Sequence, residues 1–541
     1  MADDLVILGG AVRTMDPAMP SAGSVAIAGD RIAWIGDDVE GRDRARAAAD
    51  VIDARGATVL PGFVDAHNHV RLGSNPGAVS LTGATTLEEI HDRIRAFVAA
   101  EPDATWVEGE GWNYAAIPGG RPTAAMLEGV AGGRPAFLFS YDVHTVWLNR
   151  EAMAVFQIDR DTERLPWGTI ERDASGEPTG YIHDFAVLGI SEDGERELRR
   201  HVPGYGVDTA YERLVESLDM ATRLGITTIV EPQNGLDDLE LFARARDEGD
   251  LRSRLVAAML CLPGTTSERL DALEAARARF DDDRLRVQAI KLYIDDVIEP
   301  HTAAMLAPYA NAPATSGDTF WDPDAYGAFV VELERRGWQA FTHATGDRGI
   351  RVALDAVARA RAELGPADAR HQLVHVECVH PDDVARFGEL GVVACMQPRH
   401  CAPDIVEEWR ANVGPERERF AWPFRSIAAT GGVLAFSSDW NVAEMDPMAW
   451  LYTACTRAAP DGTGAWNLDE TVDLATALRA STWGSAWSIR AEAERGTLTP
   501  GTTADVVVLS RDLASADHEA ILDTHVTATV VGGEVVHRAD P

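Results

Sequence analysis

The sequence of 541 residues predicts an α/β fold, namely a (β/α)8 TIM-like barrel with a small β-sandwich domain and an insertion. Three observations support this prediction. Short apolar strands alternate with helical patterns through the middle of the chain, both ends have the pattern of β-hairpins, and residues from about 74 to 190 interrupt the alternation. We therefore expect the sandwich to be built from both chain termini and the insertion to follow the first barrel strand.

The two ends of the chain share a β-rich pattern. "DLVILGGAVRTMD" near the start has short apolar runs broken by Gly and Asp, and "VTATVVGGEVVHR" near the end has a Gly-Gly pair that suits a hairpin turn. Residues 1–59 and 496–541 are accordingly predicted as the two parts of one β-sandwich.

Residues 60–495 are predicted to form the barrel. Several short apolar strands end in polar residues, as in "LRVQAIKLYIDD" and "GWQAFTHATGD", and the carboxyl ends of barrel strands are where active sites form in this fold. Gly, Pro and turn signals crowd "GWNYAAIPGGRPTAAML", which we assign to the insertion. The barrel mouth is therefore the expected place for chemistry.

Charge and composition exclude several classes of partner. The chain has 86 acidic and 49 basic residues, a formal charge of −37, so it lacks the basic stripe that nucleic acid binding requires. No apolar run reaches the roughly 20 residues of a membrane span, and the start lacks a basic signal region. Five cysteines without a CxxC pair suit reduced thiols. We predict a cytoplasmic protein that acts on a small molecule, without nucleic acid or membrane partners, as a homo-oligomer (dimer).

Five residues at predicted strand ends are candidate metal ligands. His67 and His69 in "VDAHNHV" are two apart and share one face of a strand, although an HxH pair alone is weak evidence. His343, His375 and Asp439 end three later strands, and imidazole and carboxylate are the usual ligands of zinc and similar ions. A hydrogen-bonded core histidine or a helix-capping aspartate is the alternative for each residue singly, but the group of five favours a metal site.

Lys291 in "QAIKLYIDD" is the only lysine among 49 basic residues. Its apolar neighbours predict burial, which lowers the pKa of an amine and leaves it neutral enough to react with carbon dioxide. The resulting carbamate is an anion whose two oxygens can bridge two metal ions, and arginine cannot form it because it does not lose its proton. We predict that Lys291 is N6-carboxylated; a surviving surface lysine is the alternative.

These motifs carry a resemblance to a known family. "PGFVDAHNH", the single strand lysine, the two later strand-end histidines and "SSDW" resemble the amidohydrolase superfamily. "GWNYAAIPGGRPTAAML", "HATGDRGIRVALDAV", "HVECVHPDDVARFGELGVVACMQPRH" and "GTLTPGTTADVVVLS" narrow the resemblance to the YtcJ-like metal-dependent hydrolases, among which N-substituted formamide deformylase is the best-known activity. Departures from the usual pattern include Asp296, Glu377, Ser438 and Asn441, and none of them removes a proposed ligand.

The resemblance implies a ligand set and a mechanism. It implies that His67, His69 and Asp439 hold one divalent ion, expected to be zinc, and that carboxylated Lys291 can bridge to a second. His343 and His375 would hold the second ion, where there is one. A metal-activated hydroxide would attack the substrate carbonyl while Asp439 acts as general base and then general acid.

The expected activity is hydrolysis of a non-peptide C–N bond, in an acyclic N-substituted amide or formamide. A cyclic amidase or an ester or carbamate hydrolase would use the same site, and a non-catalytic binding protein on this fold is a third possibility. Beside the ligands, His144 is a candidate catalytic residue, or else it stabilises the insertion. Arginines at strand ends could clamp a substrate carboxylate, or they could pair with Asp347 or Glu377. Tryptophans could form apolar walls of the pocket or could fill the core. The predicted substrate-binding residues are Trp112, Tyr114, Arg348, Arg399, His400 and Trp440.

Overall fold

The computed structural model describes residues 3–73, 75, 77–513 and 517–539. Residue 74, where the sequence places the start of the insertion, lies outside them, as do the extreme residues of both predicted sandwich segments. The chain divides into two compact units. The first comprises Met1–Val70, Val215–Gln233 and Leu239–Pro541, and the second comprises Arg71–Leu214 and Asn234–Asp238.

The first unit contains a nearly closed barrel of eight parallel strands, so the predicted TIM-like barrel is confirmed. Each strand pairs with the next in chain order, and the Ala66 amide donates to the Phe436 carbonyl at 3.4 Å between the first and last strands. The strands are β1 (Phe63–Asp65), β2 (Ile226–Asn234), β3 (Arg254–Leu260), β4 (Leu285–Tyr293), β5 (Gln339–Ala344), β6 (Gln372–His375), β7 (Val393–Met396) and β8 (Leu434–Phe436).

Helices follow the barrel strands, as the alternating pattern predicts. A side chain or a proline begins several of them: Asp322 caps the helix after β4, where Pro323 takes the first position. The helices are Val207–Arg223, Leu236–Glu248, Ser267–Arg279, Pro323–Arg335, Asp347–Leu364, Pro381–Leu390, Glu407–Val413, Phe424–Ala429, Pro447–Thr456, Leu474–Arg479 and Ser485–Ser488, with 3-10 turns at Pro398–Cys401, Glu418–Phe420 and Leu468–Glu470 and a π turn at Ala480–Gly484.

The barrel strands are apolar because both of their faces are covered, which is typical of parallel sheets. Every residue of β2, β3 and β5 to β8 is buried. Val64, Val230, Val256 and Phe341 belong to one buried cluster that draws on five of the strands. Polar side chains therefore concentrate where the strands end.

Asp65 joins the two ends of the barrel sheet. It ends β1, and its carboxylate accepts hydrogen bonds from the Ser438 amide (3.0 Å), the Ser438 hydroxyl (2.6 Å) and the Asn68 side-chain amide (2.9 Å). Burial raises the pKa of Asp65 to about 6, although these hydrogen bonds oppose the shift. The segment after β8 is thus held beside the segment after β1.

Replacing Asp65 with alanine is expected to destabilise the fold. Asp65→Ala leaves three buried donors without their acceptor, and each costs about 1–3 kcal/mol, so the free energy of unfolding should fall by about 3 kcal/mol or more. Denaturant unfolding followed by fluorescence measures it. Asp50→Ala, which removes an exposed carboxylate paired with Arg538, should change stability by about 0.5 kcal/mol or less. Equal effects of the two changes would contradict the role assigned to Asp65.

Strands from both chain ends form one eight-stranded sheet in the first unit. Val506 to Val508 pair with Pro61 to Val59, which links the C-terminal strands to the N-terminal ones. This continuous sheet lies in the same compact unit as the barrel, so a separate β-sandwich domain is not confirmed. Its strands are Leu5–Arg13, Ser21–Ala28, Arg31–Gly36, Asp50–Asp53, Thr58–Pro61, Val506–Leu509, Val526–Val531 and Glu534–Arg538, with short helices at Asp38–Ala45 and Glu519–Leu522.

The second unit has a six-stranded sheet of its own. An aromatic and aliphatic core that includes Trp112, Leu138, Trp147 and Tyr181 holds it together. Its strands are Val79–Ser80, Val107–Trp112, Ala136–Ser140, Val146–Leu148, Thr169–Arg172 and Pro178–His183. Its helical segments are Leu87–Ala100, Tyr114–Ala116, Pro118–Gly120, Ala124–Leu127, Arg150–Val155, Phe185–Leu188, Glu192–Leu198 and Pro203–Tyr205.

Two further predictions concern the chain as a whole. Among the described residues, no helix combines the length and the apolar character needed to cross a bilayer. The five cysteines are buried and unbonded to one another. Burial raises the pKa of Cys395 to about 12, so its thiol stays protonated and unreactive at neutral pH.

Candidate metal centre

The predicted ligands around Asp439 lie together at the carboxyl ends of the barrel strands. His67 and His69 follow β1, His375 ends β6, and Asp439 follows β8. The Nε2 atoms of His67 and His69 lie 3.4 and 3.3 Å from Asp439 Oδ1, and His375 Nδ1 lies 3.7 Å from Asp439 Oδ2. All four side chains are buried. Donors of His67, His375 and Asp439 lie within 4.8 Å of one another, close enough to surround one ion.

The backbone turns sharply at two of these candidate ligands and at the residue that follows the first of them. His375, Val376 and Asp439 have φ angles of 76°, 53° and 57°, in the left-handed region that residues other than glycine rarely adopt. Strained residues of this kind concentrate at functional sites. The Asp439 amide donates to the His67 carbonyl at 2.9 Å, which fixes the carboxylate beside the histidine pair.

Burial and mutual charge set the protonation of the ligands. Burial, with a smaller effect of the Lys291 charge, holds the pKa of His67 well below its usual value, and burial and His343 do the same for His375. Burial alone would raise the pKa of Asp439, but the surrounding histidines lower it well below its usual range. The group therefore offers neutral imidazoles and an ionised carboxylate, which are the forms that bind a divalent ion.

Hydrogen bonds select the tautomers of the two later histidines. His343 Nε2 lies 3.1 Å from the Asp296 carbonyl, which can only accept, so Nε2 carries the hydrogen and Nδ1 carries the lone pair. His375 Nδ1 lies 2.9 Å from Gln397 Oε1, and the Gln397 amide donates to the Ser437 hydroxyl at 2.8 Å. With Nδ1 carrying the hydrogen, His375 has the lone pair that can bind a metal ion on Nε2. Such partners commonly orient metal-binding histidines.

Lys291 lies at the barrel interior on β4 with none of its surface exposed. Its Nζ is buried and has no hydrogen-bond partner within the described part of the chain. Burial lowers the pKa of Lys291 to about 8, although Asp439 acts in the opposite direction. An unpaired amine is costly to bury. Together with the converging histidines and Asp439, this orphaned nitrogen fits a centre that holds a divalent ion.

Tyr293 is a neighbour of this centre that the sequence analysis did not identify. Its ring lies 4.6 Å from Lys291 Nζ and stacks on the His343 ring at 4.8 Å between centroids. Its hydroxyl donates to Gln233 Oε1 at 2.5 Å. Lys291 and Tyr293 are two apart on β4 and so share a face, which is the sequence signal that could have revealed it.

Tyr293→Leu is expected to weaken metal binding about 10- to 100-fold, because Lys291 and His343 lose the ring that positions them. Tyr293→Phe retains the ring and should bind metal within about threefold of the parent protein, well short of that loss. Zinc affinity measured by competition with a chromogenic chelator distinguishes the two variants. Equal losses in both would assign the effect to the hydroxyl rather than to the ring.

Four of the predicted substrate-binding residues lie in the first unit, namely His400, Trp440, Arg348 and Arg399. His400 stacks parallel to His375 at 5.9 Å, and its Nε2 lies 3.6 Å from Asp439 Oδ2. The half-buried Trp440 directly follows Asp439.

The two predicted substrate-binding arginines have carboxylate partners in the structure. Arg348 contacts Asp318 at 3.2 Å, and Arg399 contacts Asp404 at 3.0 Å and Glu444 at 2.6 Å. These partners differ from Asp347 and Glu377, which the sequence analysis considered. A role of either arginine in substrate binding stays a prediction.

The other predicted site residues belong to the second unit. Trp112 is fully buried in its core and donates to the Leu138 carbonyl at 3.1 Å. Tyr114 donates to Asp142 at 2.9 Å, and the backbone amide of the buried His144 donates to the same carboxylate at 3.0 Å. Trp112 thus packs as core, which was one of the two interpretations of its sequence pattern, and substrate contacts of all three stay predictions.

Histidine and carboxylate donors gathered at the carboxyl ends of barrel strands define this protein as a metal-dependent hydrolase. A profile of the amidohydrolase family matches residues 50–537, and the chain belongs to that family. This confirms the resemblance seen in the sequence motifs.

Individual relatives match over most of their length. The chain is 27% identical to N-substituted formamide deformylase of Arthrobacter pascens over 98% of this chain and 97% of that protein. It is 25% identical to the putative amidohydrolase YtcJ of Bacillus subtilis over 90% of each. The crystal structure of an uncharacterized metal-dependent hydrolase from Pyrococcus furiosus superposes with a TM-score of 0.71 and 24% identity, covering 94% of this chain and 99% of that one. That similarity supports the fold.

Proposed function

We propose that the protein hydrolyses a non-peptide C–N bond in an acyclic N-substituted amide or formamide. The observation that carries the proposal is the buried convergence of His67 Nε2 and His69 Nε2 on one carboxylate oxygen of Asp439, at 3.4 and 3.3 Å. Three such donors leave room for water and substrate, as in catalytic rather than structural metal sites.

These three residues would hold a divalent ion, for which zinc is the expected choice because imidazole and carboxylate suit it. When bound, such an ion acidifies water and polarises the substrate carbonyl. Asp439 has a pKa well below its usual range, so its carboxylate is ionised and able to accept a proton. We propose that Asp439 takes a proton from the attacking water and returns it to the departing nitrogen.

Lys291 is proposed to be N6-carboxylated. Its neutral amine would attack carbon dioxide, forming an N–C bond and releasing one proton, so that the carbamate carries one negative charge. The complete burial of Lys291, its pKa of about 8 and the absence of a hydrogen-bond partner for Nζ in the described structure support this chemistry. The carbamate would reach a second ion held by His343 and His375.

The amide or formamide substrate class rests on the relative from Arthrobacter pascens, which is named N-substituted formamide deformylase. We propose His400 and Trp440 as substrate contacts. His400 lies beside the Asp439 carboxylate, and Trp440 is the next residue in the sequence after Asp439. The proposed setting is the cytoplasm, where the five cysteines, which form no disulfide with one another, would stay reduced.

Chelation is expected to abolish activity, and zinc to restore it. Purified protein would be treated with a strong chelator, dialysed, and assayed with an N-alkyl formamide, a hydantoin and a phenyl ester, before and after zinc is added. Release of amine and formate from the formamide is expected to exceed turnover of the other substrates. Turnover of only the hydantoin or the ester would select the cyclic amidase or esterase alternative, and full activity of metal-free protein would refute the proposal.

A further inference from the structure

A second group of ligand-type side chains lies beside Asp439. His375, Glu377 and His400 each offer a donor atom, and these atoms lie within 4.8 Å of one another. The side chains of His375, Glu377 and His400 are 7%, 8% and 11% exposed. Only His375 belongs to the ligand set that the family resemblance implies, so Glu377 and His400 have no assigned role in holding metal.

Glu377 is held in place by two tryptophans. Its Oε2 accepts a hydrogen bond from Trp409 Nε1 at 3.0 Å, and its backbone carbonyl accepts from the Trp422 amide at 2.8 Å. Trp409 and Trp422 are fully buried, and their ring centroids lie 4.8 Å apart. A carboxylate fixed in this way is pre-organised as a ligand.

The spacing of Glu377 and His400 suits two ligands of one ion. Glu377 Oε1 lies 3.9 Å from His400 Nδ1, too far for a hydrogen bond. Two atoms that each lie about 2 Å from a tetrahedral zinc ion are about 3.3 Å apart, so a small movement would admit an ion. The other ring nitrogen, His400 Nε2, faces Asp439 Oδ2 at 3.6 Å and is buried without a hydrogen-bond partner in the described structure.

His375 supplies the third donor. Its Nδ1 is engaged by Gln397 Oε1 at 2.9 Å, so Nε2 is the nitrogen available to an ion. Two imidazoles and one carboxylate can hold a divalent ion such as zinc or cobalt, with water in the remaining coordination position.

Charge distinguishes this group from the position built on Lys291. An unmodified ammonium repels a cation, so an ion between Lys291, His343 and His375 requires the carbamate. Glu377 brings its own negative charge, and its ligand set requires no modification.

We propose that His375, Glu377 and His400 form a position for a second divalent ion that fills without carbon dioxide. It rests on the proposed function to the extent that His67, His69 and Asp439 must hold the first ion. Because Gln397 engages one ring nitrogen of His375, only the other can bind an ion, so the two second positions exclude each other. The protein then binds two ions with or without carbon dioxide, while the ligands of the second ion change.

Cobalt(II) binding tests this proposal. Metal-free full-length protein would be dialysed against cobalt(II) chloride in CO2-free buffer and again with bicarbonate, with bound cobalt counted and its visible absorption recorded. The parent protein should bind two equivalents in both buffers. Glu377→Gln, which keeps the size of the side chain and an acceptor for Trp409, should bind one equivalent without CO2 and regain the second with bicarbonate.

Glu444→Gln is the matched control, because it removes a carboxylate that pairs with Arg399 outside the group; it should behave as the parent protein. His400→Gln provides a second variant with the same expected loss, and circular dichroism verifies folding. In the CO2-free buffer, a parent protein that binds one equivalent, or a Glu377→Gln protein that binds two equivalents, would overturn the position. A parent protein that binds no cobalt in either buffer would instead refute the first metal site and with it the proposed function.

Discussion

Asp439→Asn is expected to lower kcat about 1,000-fold, the middle of the range for a lost general acid–base group together with an anionic ligand. The carboxylate is the point on which His67 Nε2, His69 Nε2 and His375 Nδ1 converge, at 3.3 to 3.7 Å. Asparagine has nearly the same shape but cannot accept a proton at neutral pH. The backbone bond from the Asp439 amide to the His67 carbonyl persists in the variant, so the fold should be retained.

Steady-state kinetics with the preferred substrate at saturating zinc measure this effect, and zinc affinity is recorded in parallel. Saturation separates lost proton transfer from weakened metal binding. Asp382→Asn is a suitable control because its side chain is 82% exposed, and it should leave kcat within about twofold of the parent value. An Asp439→Asn protein that keeps more than a tenth of the parent kcat at saturating zinc would remove Asp439 from proton transfer.

Local patterns were enough to predict the barrel. Its strands are buried on both faces and read as short apolar runs between helices, which is a strong signal for parallel sheets. Which segments of the chain make up the second unit was harder to predict, because this depends on contacts between residues that are distant in the sequence. Asn234–Asp238, which starts at the last residue of β2, belongs to that unit, where the Leu236 amide donates to Glu192 at 2.6 Å. No local pattern in "QNGLDD" indicates such a partner.

Candidate ligands could be found because each one ends a strand and has suitable chemistry. Residues that position them depend on sheet register, which the sequence does not reveal. Tyr293 is paired with His343 across β4 and β5, and this register places its ring on the imidazole. Gln397 reaches His375 from the segment after β7. The partners of Arg399 likewise come from loops whose course depends on tertiary contacts.

Lys291→Arg is expected to lower kcat/KM about 100-fold or more and to abolish carbamate formation. The substitution leaves the formal charge of −37 unchanged, but arginine stays protonated and cannot react with carbon dioxide. The larger guanidinium would also have to fit a position with no exposed surface.

Kinetics and 13C NMR of protein incubated with 13C-bicarbonate test these two expectations. The parent protein should show a carbamate signal from Lys291 that the variant lacks, while any carbamate of the α-amino group should appear in both. Arg196→Lys places a second lysine on an exposed helix, where its side chain is 58% exposed, and should change neither activity nor the signal. The signal lost in the Lys291→Arg variant should therefore come from Lys291, since the chain has no other lysine. A fully active Lys291→Arg protein would contradict the proposal that carbamate formation is the reason for a buried lysine at this position.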